Sequence, residues 1–263
     1  MLGGTISGFL AGLLGIGGGM ILIPLMLLVF NHLGFSQNIA MHMAIATGMA
    51  SVLFTTSSAV LAHHKYGTID WKLVGTLSPG LVIGGLLGGS EIFQVINASW
   101  LSLFFAIFII YSSIQMIFNK IPATVRRLPG LIGLFSFSLF TGIFASLIGA
   151  GGAFITVPFM IWCNIKPHKA MASSSGLGFP IAASATIGYV YGSWGNVDLP
   201  DYSLGFIYLP ALLSIALMSV LTAPLGARMV NKLNVSQLKR IFGVTLFLVA
   251  IFMLNESRKA FGY

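Results

Sequence analysis

Two short glycine runs are the residues in this chain best placed to do chemistry. Gly15, Gly17, Gly18 and Gly19 interrupt one long apolar stretch and are followed by Pro24; Gly149, Gly151 and Gly152 interrupt another and are followed by Pro158. A helix that restarts after such a break offers free N–H groups and the positive end of its dipole, which together attract an anion. Glycine suits the position because it permits positive φ and lets an oxyanion approach the backbone without meeting a Cβ. Each proline falls inside the restarted arm, where it frees one more carbonyl. Hydrocarbon penalises unpaired backbone groups by several kcal/mol each, so such breaks persist only where they face protein or a wet cavity. Close helix packing also uses glycine, but the doubling, with the proline at equal spacing, favours a binding role.

Hydroxyls form the second constellation. Thr47, Gly48 and Ser51 lie in one apolar segment, and Ser174, Ser175 and Gly176 in another, preceded by Ser173. Such hydroxyls can donate to the oxygens of an anion, although helical Ser and Thr also bond their own backbone four residues back. His42 is the histidine best placed to titrate; His63, His64 and His168 sit beside lysines and read as interfacial. Asp70 and Asp198 each follow a glycine turn and read as helix N-caps. No acidic residue lies near the middle of an apolar segment, which weakens a carboxylate proton relay. Backbone carbonyls at the breaks remain an option for a cation.

The elements that position these residues must sit in lipid. Apolar residues are 57% of the chain and charged ones 7%, too few to solvate a water-soluble fold of this length. Hydropathy divides the chain into apolar segments at roughly 2–30, 38–62, 71–96, 98–118, 130–162, 168–192, 201–228 and 235–255, against the ~20 helical residues that a crossing needs. The first segment lacks a basic leader and its pattern recurs deep in the chain, so it reads as mature structure. The net charge of +8 comes from Lys and Arg in short connections rather than a basic face interleaved with aromatics, so membrane orientation explains it and nucleic acid is not an expected partner. The lone Cys163 excludes an internal disulfide and a Cys-rich metal site. No cofactor or metal is expected. The phosphate cradle GxxxxGK[ST] and the HExxH motif are missing, and no histidine after His168 could serve Ser174 or Ser175 as a base, so a nucleotide-driven pump and an intramembrane protease are both disfavoured.

The chain is a duplication. Gly8, Ala11 and Leu13 match Gly142, Ala145 and Leu147; Ile21, Pro24 and Met26 match Ile155, Pro158 and Met160; and Ala44 to Gly48 matches Ala172 to Gly176. Residues 1–120 read as the first membrane repeat, 121–129 as a basic cytoplasmic linker and 130–263 as the second repeat. If every segment crossed, the basic residues would divide evenly between the two sides. If instead the first and fifth segments are re-entrant hairpins folded at their glycines, one side collects Lys65, Lys72, Lys120, Arg126, Arg127, Lys166, Lys169, Arg228, Lys232, Lys239 and Arg240. The other keeps Arg258 and Lys259 with the acidic Glu91, Asp198, Asp201 and Glu256. The positive-inside rule favours the second arrangement. The expected fold is thus an all-α integral membrane protein of two inverted homologous halves, each a glycine-broken re-entrant segment plus three spans, with both termini outside.

The doubled glycine–proline motif, each copy followed by a Ser/Thr-Gly element, resembles the TauE/SafE family of sulfite exporters over essentially the whole chain. The resemblance implies a multi-pass permease of the cell membrane, the inner one where a cell has two, exporting small sulfur-containing anions such as sulfite, sulfoacetate or related organosulfonates. It carries over to Gly15, Gly17, Gly18, Gly19, Pro24, Gly149, Gly151, Gly152 and Pro158. One departure is Ala153, which stands where the first copy has its third glycine and so predicts a less permissive second loop. The expected partners are a small anionic substrate and membrane lipid; the oligomeric state stays open, a homodimer among the options. A passive anion channel is the alternative function, since helix dipoles also line pores. Under the inverted topology, a membrane-impermeant amine reagent should modify both Lys120 and Lys166 from the cytoplasmic side; modification from opposite faces would refute it.

Overall fold

A computed structural model of the chain describes residues 2–14, 18–118, 128–194, 199–229 and 235–260. The first apolar segment forms two short helices, α1 (Leu2–Leu14) and α2 (Gly19–His32); the fifth is also broken in two, but its first arm α7 (Leu131–Ile148) is long enough to cross, unlike the expected re-entrant arm, and only α8 (Ala153–Trp162) is short. Between and after them run α3 (Gln37–Lys65), α4 (Trp71–Gly89), the single turn α5 (Glu91–Val95), α6 (Ala98–Phe118), α9 (Pro167–Gly192), α10 (Leu209–Met229) and α11 (Val235–Ala260). Among the described residues, six helices are long and apolar enough to cross a membrane: α3, α4 with α5, α6, α7, α10 and α11. At 1.5 Å per residue, α1, α2 and α8 reach only about 15–21 Å, short of the ~30 Å hydrocarbon layer. Among the described residues the membrane protein is all-α apart from one small hairpin, β1 (Ser203–Leu204) with β2 (Ile207–Tyr208).

Small residues decide which helices meet. Lipid tails are as apolar as leucine, so helices associate in a bilayer where they can approach closely, and glycine permits that. Gly4, Gly8 and Gly12 set one face of α1 against Ile215, Ser219 and Ala223 of α10; a methyl on Gly12 would lie 1.9 Å from the Ala223 carbonyl oxygen. On α4, Gly80, Gly84 and Gly88 receive Ser138, Leu139 and Ser146 of α7, while Gly85 and Gly89 on an adjoining face receive Ser184 and Ala185 of α9. The glycine repeat of α1 corresponds to Ser138, Gly142 and Ser146 of α7, so the same zipper is built twice: α1 on α10, and α7 on α4. α6 lies along α11 and α3 beside α9. Exchanging the two halves leaves this set of partners unchanged.

Cross-half hydrogen bonds fix the starts of the packed helices. Ser173 on α9 accepts the N–H of Asp70 at 3.0 Å, one residue before α4, and Thr47 on α3 accepts the N–H of Tyr208 at 3.0 Å, one residue before α10. Asp70 caps α4 through Leu73 N–H at 3.1 Å, as its position in the sequence suggests; Asp198 lies outside the described residues. The Tyr208 ring packs edge-on against Phe30 and Phe35, seating the hairpin on the end of α2. Of the 121–129 linker only 128–129 are described, and Lys120 and Lys232 also lie outside the described residues.

Replacing Gly84 by Leu should leave little monodisperse protein in detergent, because a Cβ there would already sit 2.2 Å from the Leu139 carbonyl oxygen. Gly75→Ala, where a Cβ has nothing within 4 Å, should match or slightly exceed the wild-type melting temperature.

Candidate functional site

The two breaks meet each other. A Cβ on Gly19 would lie 2.3 Å from the carbonyl oxygen of Gly149, and one on Gly149 would lie 2.6 Å from Cδ1 of Ile23 and 3.1 Å from the carbonyl oxygen of Ile45. Gly48 packs on the same Ile23, and Gly178 faces Thr56 with the Gly151 carbonyl oxygen beyond it. The loops are therefore enclosed by α3, over Ile45 to Thr56, and by α9 near Gly178 and Ile181. Gly18, Gly19, Gly149, Gly151 and Gly152 are all buried; Gly15 and Gly17 lie outside the described residues.

Backbone geometry explains the spacing of the second run. Gly149 ends α7 at φ 69°, with its N–H on Ser146 O at 3.3 Å and the Ala150 N–H on Ala145 O at 3.2 Å, the left-handed helix stop that glycine favours. Gly152 sits at φ 73° immediately before α8, matching Gly18 at φ 76° before α2. The residue after each is already helical. Ala153 thus needs no glycine, and the sequence-based expectation of a tighter second loop does not hold. Gly19, at the matching place, is glycine for a different reason: the Gly149 carbonyl leaves no room for a side chain.

At the start of α8 the amides are left open. The N–H groups of Ile155 and Thr156 go to Gly152 O, but those of Gly151, Ala153 and Phe154 have no partner among the described residues. Gly152 supplies no side chain to cap them. Free donors at a helix start, with the helix dipole behind them, are the kind of group that attracts an anion. Pro158 and Pro24 stand at the same step of α8 and α2, where each releases a carbonyl, of Phe154 and Met20, from the helical ladder.

Most of the nearby hydroxyls have already spent their protons on backbone. Ser51 donates to Gly48 O at 2.6 Å, Thr55 to Ser51 O at 2.9 Å, Thr56 to Val52 O at 2.7 Å and Ser175 to Met171 O at 3.3 Å. Thr156 donates to Gly152 O at 3.1 Å, so in its 2.8 Å contact with Ser174 the serine is the donor. Thr47 and Ser173 are the exceptions: both are fully buried, each only accepts an N–H, and neither has an acceptor for its own proton among the described residues. Gly176 belongs elsewhere, against Val74 and Ile69 at α4. Thr156 was not singled out from the sequence as a site residue, since a hydroxyl in an apolar run gives no sign of which acceptor it faces.

The histidines turn out differently from each other. His42 is buried and donates from Nε2 toward Phe93 O and Ile96 O, at 3.1 and 3.0 Å, with its ring between Phe93 and Phe206. That geometry pins the α5 turn to α3. His63 is also buried, whereas His64 is exposed and accepts the Trp71 indole N–H at 3.2 Å. Cys163 is a buried free thiol at the end of α8.

Short helices interrupted at two buried breaks inside a bundle of membrane-length helices define a multi-pass membrane protein, and its family makes it a transporter. The sequence profile of the sulfite exporter TauE/SafE family matches residues 1–253, and the chain belongs to that family. It is similar to a probable membrane transporter protein of Haemophilus influenzae, 33% identical over 96% of both chains. A probable membrane transporter of Methanocaldococcus jannaschii is 24% identical over 95% of this chain and 92% of its own, and YunE of Bacillus subtilis, also named a probable membrane transporter, is 24% identical over 97% and 96%. No solved structure matches the chain.

Gly152→Ala should lower thermal stability by several degrees, because the left-handed backbone costs a residue with a Cβ about 1–2 kcal/mol and Ile181 crowds the methyl. Ala153→Gly should change the melting temperature little. An equal loss in both variants would overturn the assignment of the left-handed position.

Proposed function

We propose that this protein is a secondary carrier that exports small sulfur-containing anions, sulfite, sulfoacetate or related organosulfonates, and holds them at the glycine breaks. The observation that carries this reading is the set of buried N–H groups of Gly151, Ala153 and Phe154 at the start of α8, which have no partner among the described residues. Such donors suit an oxyanion, and they do so without a charged side chain whose burial would cost several kcal/mol. Thr47 has a hydroxyl proton to add, and the basic connections on one face raise the local anion concentration. The sulfur-containing substrate comes from family membership rather than from the geometry.

An inverted pair of halves with re-entrant first arms supports alternating access, and two contacts favour that topology over eight simple crossings. Asn31, at the end of α2, donates to Glu256 near the end of α11 at 3.2 Å. Lys65, ending α3, and Arg228, in the last turn of α10, line one cleft. Single crossings by all eight apolar segments would put the members of each pair on opposite faces; hairpins at α1–α2 and α7–α8 put each pair on one face. Both cleft cations then fall on the basic, cytoplasmic side. The contact of Gly19 with Gly149 O closes the space between the breaks, as a carrier requires and an open pore does not.

Purified protein in liposomes should show saturable sulfite or sulfonate flux with counterflow, and competition by sulfite, sulfoacetate, thiosulfate, sulfate and chloride should rank the substrates. Current without exchange would identify a channel instead. Gly151→Val and Gly17→Val should abolish flux while expression persists, and normal flux from either folded variant would sink the amide cradle. Thr47→Val should lower flux about five- to tenfold, the worth of one hydrogen bond of ~1 kcal/mol, with Thr47→Ser near wild type.

A further inference from the structure

We propose that the cleft between the cytoplasmic ends of α3 and α10 is a binding site for an anionic phospholipid, with the lipid phosphate held between Lys65 and Arg228. The cleft has a volume of about 390 Å³ and is lined by Ser58, Leu61, Ala62, Lys65, Tyr66, Pro224 and Arg228. Both cations are exposed, and neither is paired with a carboxylate among the described residues. The Ser58 hydroxyl is already committed to Val220 O at 2.9 Å, which leaves the two cations as the polar recognition elements.

The remaining lining is what selects a lipid over a free anion. Leu61 is 66% exposed and Tyr66 58%, and both stand beside Pro224 where an acyl chain or glycerol backbone would lie. A hydrated sulfonate gains nothing from that apolar wall. A phospholipid satisfies both parts at once, and basic clefts between helices on the cytoplasmic side are suited to anionic headgroups. Helix C-termini alone would favour nearby Lys and Arg, but that preference does not require an open cleft.

The second half of the duplication sharpens the point. Exchange of the halves carries the α3–α10 corner onto the α9–α4 corner, and there the structure is shut. A Cβ on Gly188 would lie 2.9 Å from the Gly89 carbonyl carbon, one on Gly192 would lie 2.6 Å from Nε2 of Gln94 and 3.1 Å from Ser90 O, and no Lys or Arg is involved in these contacts. One corner of a duplicated fold is thus sealed by glycine contacts, while its counterpart is open, basic and apolar-walled. A lipid seated there would bridge α3 of the first half to α10 of the second, independently of which substrate is carried.

The test compares the melting temperature of the purified protein in mixed micelles containing phosphatidylglycerol, phosphatidylcholine or inorganic phosphate without lipid. A rise of several degrees with phosphatidylglycerol alone is expected, and it should disappear in Lys65→Gln/Arg228→Gln but persist in Lys72→Gln, which removes a cation at the exposed start of α4. Native mass spectrometry of the wild type should retain phosphatidylglycerol in preference to phosphatidylcholine, so the proposal stands or falls even where the double variant does not fold. Equal stabilisation by both lipids, the same rise with phosphate alone, or an undiminished rise in the double variant would overturn it.

Discussion

Inside hydrocarbon a peptide group must find its partner within the protein, and that constraint bears hardest on this chain where its helices are interrupted. The first turn of any helix has N–H groups without helical acceptors, so the buried starts of α2 and α8 need other helices packed around them. Sealing requires helices to come closer than ordinary side chains allow. The glycine faces of α1 and α4 supply that closeness by meeting α10, α7 and α9 at backbone distance. The chemistry at the breaks and the small residues along the helices are thus one requirement met in two ways: glycine at the break opens the backbone, and glycine beside it shuts out the lipid.

Duplication built the frame, but the halves have not kept equal polarity. Where the second half places Thr156 and Ser174 in contact beside Gly152, the aligned positions of the first half are Leu22 and Ala46, both buried. The second break also has Ala153 in a helical position, while the first has Gly19 pressed on Gly149 O. The polar groups therefore lie mainly around α8 and α9, and Ile23 of α2 is an apolar neighbour of Gly149. Under the proposed function, a symmetric frame with this asymmetric lining would give an anion a preferred side.

The helices and the breaks were legible in the sequence because each leaves a periodic or compositional mark: apolar length for α3, α6 and α11, and the repeated glycine–proline spacing for the two interruptions. The partners of those helices were not. Gly80, Gly84 and Gly88 form a regular stripe, yet only coordinates reveal that it meets α7, with Gly85 and Gly89 turned to α9. The hydroxyls were half legible. Thr47 and Ser51 sit one turn apart in the same helix, but Ser51 gives its proton to Gly48 O while Thr47 spends none, a difference set by where Tyr208 arrives from the other half. The hairpin that brings Tyr208 there has strands of two residues, too short to leave any alternation in the sequence.

In a carrier of the proposed kind, the contact between Gly19 and the Gly149 carbonyl would link binding to movement. It is the point where the two interruptions touch, one from each half, and no side chain stands between them. Any displacement of one half against the other must slide or part this contact. Gly19 meets the carbonyl with no side chain of its own while Ile23, one turn on, packs on Gly149 beside it, and a larger residue at Gly19 would have to pass the carbonyl. The absence of a Cβ at Gly19 thus lets the two breaks close on each other.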